Sequence, residues 1–246
     1  MCRYQILIEY VGTSYVGWQI QKKGNSIQKT VQLALSRLLK EKIKLYGSGR
    51  TDAGVHALEQ SAHFDVKNKI QNINRIVKSL NFFLNNKMIS IINIKKKKNN
   101  FHARHSAKER VYLYIIQNRL SLSTVFKDRE WHIRKKLDIN LIKKGAKKLI
   151  GTHDFSTFRA SNCSAKSPIR TINNIIVIKS KNRIKLKFKS KSFLKNQVRS
   201  MVGCLKYLGE KKWNLRKFQN IITNKDRTRV APPAPACGLY LEKIIY

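Results

Sequence analysis

The chain has 246 residues, 42% of them hydrophobic, which is enough apolar material to bury a core and excludes a disordered polyelectrolyte. Its 52 Lys and Arg stand against 13 Asp and Glu, a net charge of +39, and a field of that sign attracts polyanions such as nucleic acid and disfavours cationic partners. Lys, Ile and Asn also dominate together, as coding biased toward A and T produces, so charge alone does not separate a nucleic-acid surface from drift on solvated faces.

The elements follow in chain order. "RYQILIEY" (3–10) is rich in apolar and β-branched residues and reads as a strand that ends in the loop "VGTSYVGWQIQKKGN". Ser26 is an N-cap, after which Ile27, Val31, Ala34, Leu35, Leu38 and Leu39 recur at helical spacing and predict an amphipathic helix to about residue 42. "IKLYGSG" reads as a strand entering a glycine-rich loop and "LEQSAHFDV" as the strand leaving it; a helix over 73–84 and a strand over 88–94 close the first half. "KKKKNN", beginning at Lys95, reads as a solvated, charged loop bridging to the second half. There the pattern gives a strand over 110–118, a helix over 138–150, a polar loop over 151–169 and strands over 170–178 and 183–190. Helices over 192–208 and 214–223 and a last strand, "GLYLEKII", complete it. Each half runs strand, helix, strands, helix, strand, which predicts an α+β fold with a mixed or antiparallel sheet and halves at 1–104 and 105–246.

Cys2, Cys163, Cys204 and Cys237 are too scattered for a metal site or a disulfide scaffold and read as thiols in a reducing compartment. His102 and His105 in "FHARH" have no nearby Cys or acidic ligand, so no metal is expected. "MCRYQILIEY" has no signal or transit pattern, and no apolar run approaches the ~20 residues of a membrane span. The expectation is a cytoplasmic protein with no membrane partner.

"GSGRTDAGVHA" (47–57) collects three glycines, Arg50, Asp52 and His56 in a chain otherwise dense in lysine. The dinucleotide fingerprint fails there, because Asp52 occupies the place of the third glycine and a strand follows instead of a helix. The P-loop pattern fails for want of Gly-Lys-Ser/Thr. The glycines read instead as positions of positive φ or close approach. Asp52 is either a positioned, ionised carboxylate that acts as a nucleophile or half of a local turn salt bridge with Arg50. Local chemistry leaves both open.

"GRTDAGVHA" resembles the signature of the tRNA pseudouridine synthase A family. The likeness continues, in the family's order, through "GTSYVGWQIQ", "FHARHSAKERVYLY", "HDFSTFRA" with "KSPIRTI", "SFLKNQVRSMVG" and "AP" followed by "GLYL". Val11, Gln197 and His105 depart from it, standing where Asp, Met and an aromatic are usual. The resemblance implies an isomerase that converts uridine to pseudouridine at positions 38, 39 and 40 of the tRNA anticodon stem-loop, exchanging a nitrogen glycosidic bond for a carbon one without cofactor or metal. It implies Asp52 as nucleophile, toward the ribose C1′ or the uracil C6. Tyr112 matches the tyrosine that packs on the target uracil and takes part in proton transfer, and Arg199 the basic residue that pairs with the catalytic Asp. Arg50 is expected at the flipped base, with His56, Lys166 and Arg170 as further RNA contacts. The implied fold is two similar halves sharing an extended mixed, mainly antiparallel sheet flanked by helices, with a basic cleft between them, working as a homodimer. Two rivals remain: an RNA-binding protein without catalysis, and a phosphate-handling nucleotide enzyme, which a carboxylate in the glycine loop disfavours.

Overall fold

A computed structural model describes residues 1–226, 228 and 230–246. It divides into one unit of Met1–Lys108 with Tyr240–Tyr246 and a second of Glu109–Leu239.

In the first unit, β1 (Cys2–Tyr10) lies between two antiparallel neighbours, β3 (His56–Val66) and β4 (Ile89–Lys97), with Ile6 opposite both Ala62 and Ile94. Tyr4, Ile6, Ile8 and Tyr10 alternate along β1 and are buried, as a half-covered strand requires. A two-residue strand, β2 (Tyr46–Gly47), pairs antiparallel with β3. Helix α1 (Ile27–Leu39) starts where Ser26 Oγ accepts from the Lys29 amide at 3.3 Å. It stops at Leu39, short of the expected residue 42, because Lys40 turns left-handed at φ 53°. Ile27, Val31, Ala34 and Leu35 form its buried stripe. Helix α2 (Ile73–Leu84) covers the predicted span, with Asn72 as its cap.

The lysine run departs from expectation. Lys95, Lys96 and Lys97 are not loop but the end of β4, opposite Gln5, Tyr4 and Arg3 of β1. β4 is an edge strand, and exposed lysines on an edge satisfy the ladder on one side while discouraging another chain from adding to the other.

In the second unit the sheet order is β5 (Glu109–Asn118), β9 (Arg183–Ser190), β8 (Ile169–Ser180) and β7 (Gly151–Asp154), all antiparallel. β6 (Trp131–Ile133) lies parallel beside β5. β6 and β7 are too short to show alternation, and β7 occupies the start of the segment expected to be a polar loop. Helices α3 (Ile139–Lys148) and α5 (Leu215–Thr223) are capped by Asp138 and Asn214. Helix α4 (Gln197–Gly209) begins later than the expected residue 192, because Asn196 sits at φ 62°, outside right-handed helical space. The last strand, β10 (Leu239–Ile245), belongs to the first unit from Tyr240 onward, where Tyr240 and Leu241 pair parallel with His56 and Ala57 of β3. Parallel and antiparallel pairings together make the sheet structure mixed and the class α+β. Among the described residues no helix is long and apolar enough to cross a membrane.

α4 is buried almost all round, and Gly203 lets it approach the 231–234 segment: a Cβ there would lie 2.2 Å from the Pro232 carbonyl oxygen. Backbone cannot rotate aside as a side-chain tip can. Gly203→Ala is therefore expected to destabilise the protein by about 1–3 kcal/mol, the usual cost of overpacking, read as a lower midpoint in urea unfolding. An unchanged midpoint would show that the segment yields freely.

Candidate active site

The loop that leads to Asp52 is fixed residue by residue from the elements behind it. Gly47 packs on the Trp18 indole so closely that a Cβ would lie 2.4 Å from Nε1. The Ser48 amide donates to the Ser61 carbonyl at 2.8 Å, and Gln60, fully buried on β3, donates from Nε2 to the Gly49 carbonyl at 2.8 Å. Thr51 is held twice: its hydroxyl is 2.8 Å from that of Tyr10, and its carbonyl accepts from the Trp18 amide at 3.1 Å. The chain then turns at Asp52, whose carbonyl accepts from the Val55 amide at 3.2 Å, with Gly54 at φ 75° supplying the left-handed residue.

The Asp52 side chain is only partly covered and Arg50 is exposed. Among the described residues neither makes an ion pair. The local Arg50–Asp52 turn bridge is thus absent, and order in the turn comes from the backbone contacts of Gly49, Thr51 and Val55. A carboxylate on a fixed backbone, with no cation engaging its oxygens among the described residues, keeps its lone pairs available for bond formation.

His56 sits behind the turn. It is 0% exposed at the start of β3, its Nδ1 accepts from the Gly12 amide at 3.0 Å and its ring lies 4.8 Å from that of Tyr240. Through that bond it ties the 11–12 segment to the strand behind the turn.

The second unit carries the remaining candidates. Tyr112 on β5 is 8% exposed, opposite Phe188 and edge-on to Phe193 at 5.2 Å. Arg199 on α4 donates from Nε to the Ala234 carbonyl at 2.7 Å and from Nη1 to Asn196 Oδ1 at 3.3 Å, while its own carbonyl accepts from the Ala234 amide at 3.0 Å. The guanidinium is thereby oriented without being neutralised. Arg170, at the start of β8, donates from Nη1 to the carbonyls of Ser167 and Ile169, at 2.9 and 2.6 Å, and so braces the loop before it; Lys166 on that loop is exposed.

Asp52, Arg50 and His56 therefore share one loop and strand start in the first unit, and Tyr112, Arg199, Lys166 and Arg170 belong to the second. Reading the sequence missed the residues that hold the turn, namely Tyr10, Trp18, Thr51 and Gln60. One trace was present: Gln60 lies within "LEQSAHF", where a polar side chain interrupts an otherwise coverable strand.

The chain's relationships identify its family. A family model described as tRNA pseudouridine synthase matches residues 6–106 and again 146–246, so two similar stretches make up most of the chain. The tRNA pseudouridine synthase A of Pelagibacter ubique (strain HTCC1062) is 63% identical over 246 residues, covering 100% of both chains. Proteins of the same name from Neorickettsia sennetsu (strain ATCC VR-367 / Miyayama) and Wolbachia pipientis wMel are 43% and 42% identical, each over 99% of this chain and 100% of its own length. With the family model matched on both stretches and full-length identity this high, the chain belongs to the tRNA pseudouridine synthase family, a family of isomerases.

Proposed function

We propose that this protein isomerises uridine to pseudouridine in tRNA, at positions 38, 39 and 40 of the anticodon stem-loop, with Asp52 as the nucleophile, and that it works in the cytoplasm as a homodimer. The observation that carries the reading is the state of Asp52: a carboxylate on a turn fixed from behind by Thr51, Gly49 and Val55, and engaged by no described cation. A protein that only bound RNA would have no use for an ordered anion facing a polyanion.

The reaction breaks the bond from ribose C1′ to uracil N1 and makes one from C1′ to C5, with the C5 proton lost and N1 protonated. No electrons leave and no phosphate is cleaved. A carboxylate assists by bonding transiently to C1′ as the base departs, or to C6 so that the base is held while it turns. In either case the uridine must first leave the helical stack, which costs a few kcal/mol. The exposed Arg50 guanidinium, two residues from Asp52, is suited to the space and charge around the extruded nucleotide. Tyr112 supplies a ring for the uracil and a hydroxyl for the proton transfer. Arg199 supplies the positive charge of the reaction, its guanidinium already oriented by Ala234 and Asn196. Lys166 meets phosphate, and Arg170 holds the loop that presents it.

Asp52→Asn keeps the shape of the side chain and removes the nucleophile. Turnover is expected to vanish while tRNA affinity stays within a few-fold, checked by mass-spectrometric mapping of pseudouridine beside equilibrium binding. Activity near wild type would remove Asp52 from the mechanism.

In Tyr112→Phe the ring remains and the hydroxyl is gone. Binding should survive and the single-turnover rate should fall by roughly 100-fold or more, the usual scale of a lost acid–base group. An unchanged rate would leave Tyr112 as packing.

Salt separates gripping cations from bystanders. Each phosphate neutralised contributes roughly −0.7 to −0.9 to the slope of log affinity against log salt. Replacing Lys95–Lys98 by Gln is expected to change that slope only slightly, whereas Arg50→Ala lowers the single-turnover rate well beyond what one lost charge accounts for. A slope carried mainly by the lysine run, with Arg50 silent, would reverse the assignment.

A further inference from the structure

Tyr46 is the first residue of β2, which runs into the Asp52 loop, and it opens a ladder of four rings. Tyr46 lies on His63 with centroids 5.1 Å apart and planes 17° from parallel; His63 meets His102 at 4.6 Å, and His102 meets His105 at 4.3 Å. The inner rings serve the fold. His63 is 2% exposed, and its Nδ1 accepts from the Ala103 amide at 3.1 Å; His102 Nδ1 accepts from the amides of Arg104 and His105, at 3.1 and 3.3 Å.

The outer rings do not serve it in this way. Tyr46 is 46% exposed and His105 is exposed, so neither covers much of the core. Burial, with His102 and Arg3 nearby, pushes His63 down to about 4, and burial together with His105 and Arg3 lowers His102. At neutral pH the interior of the ladder is uncharged. The charge lies around it: Arg3 and Arg104 act on His102, and Lys97 Nζ stands 5.2 Å over the Phe101 ring, itself edge-on to His63. The neighbouring carboxylate, Asp65, is committed to Arg3 through two hydrogen bonds of 2.7 Å.

A stack of rings that ends in exposed faces and is bordered by cations matches a nucleobase and its phosphate. Bases stack on aromatic and imidazole faces without regard to sequence, and cations beside them take the backbone. An acidic peptide would use the cations and leave the rings idle. We infer that the exposed ends of this ladder, Tyr46 and His105, form a second tRNA contact that takes unpaired bases other than the reacting uridine, with Arg104 at the adjoining phosphate. The inference rests on the tRNA reading above and extends it to bases other than the one that reacts.

The test is fluorescence anisotropy with an unmodified tRNA transcript at fixed salt, using the double variants Tyr46→Ala/His105→Ala and Tyr46→Phe/His105→Phe, with thermal unfolding as the control on folding. The Ala variant is expected to bind about tenfold more weakly, in the range for a lost stacking partner, and the Phe variant to stay within about twofold of wild type. An Ala variant that folds and binds as wild type does overturns the inference, and so does a Phe variant that loses as much as the Ala one. Failure of the functional reading shows elsewhere: a wild-type protein that binds tRNA and forms no pseudouridine refutes the isomerase proposal and leaves the anisotropy result to stand by itself.

Discussion

The hydroxyl of Tyr10 and the hydroxyl of Thr51 are each buried, and each is the other's partner at 2.8 Å. An unpaired buried hydroxyl costs about 1–3 kcal/mol, so the end of β1 and the approach to Asp52 have to be found together. The other restraints follow from that meeting. Trp18 reaches the Thr51 carbonyl only because the loop after β1 is already alongside, and Gln60 reaches the Gly49 carbonyl because β3 is paired in register with β1. The turn is thus held from three directions within one unit. Among the described residues no ion pair engages the Asp52 carboxylate, so these backbone and hydroxyl contacts order the turn without it.

Periodicity carried the regular elements into view. The apolar stripe of α1, its Ser26 cap and the span of α2 could all be read from side-chain spacing, since helices bury one face and that face repeats. What could not be read had no period. β6 and β7 are shorter than the alternation that would reveal them, and the start of α4 was placed too early because an asparagine at φ 62° leaves no mark distinguishing it from one inside a helix. The lysine run misled for a different reason. Charge signals exposure, and Lys95 and Lys96 are indeed exposed; it does not signal loop, because an edge strand is exposed as well.

The site shows the same division. Asp52 and Arg50 stood out through the glycines around them and through family likeness. Their support did not, because a tyrosine at position 10 and a threonine at position 51 become partners only after two strands pair. The burial of His56 against Tyr240 had no trace in the sequence either. A histidine acceptor for the Gly12 amide is indistinguishable in sequence from one that faces solvent.

Arginine and lysine play different parts in the charge. With 13 carboxylates for 52 basic side chains, most cations must go without an acid, and the resulting self-repulsion opposes compaction. Several arginines meet this constraint by donating to backbone carbonyls: Arg199 to Ala234, Arg159 to Cys163 and Ala165, Arg170 to Ser167 and Ile169. A carbonyl orients the planar guanidinium but leaves its full positive charge, whereas a carboxylate would cancel it. Lysines, compact charges on flexible stems, are mostly exposed and contribute to the field without fixing its direction. The excess charge therefore has an oriented component built into loops and helix α4, and a diffuse one spread over the surface. A bound polyanion would relieve the repulsion of both, and by mass action would stabilise the fold that binds it.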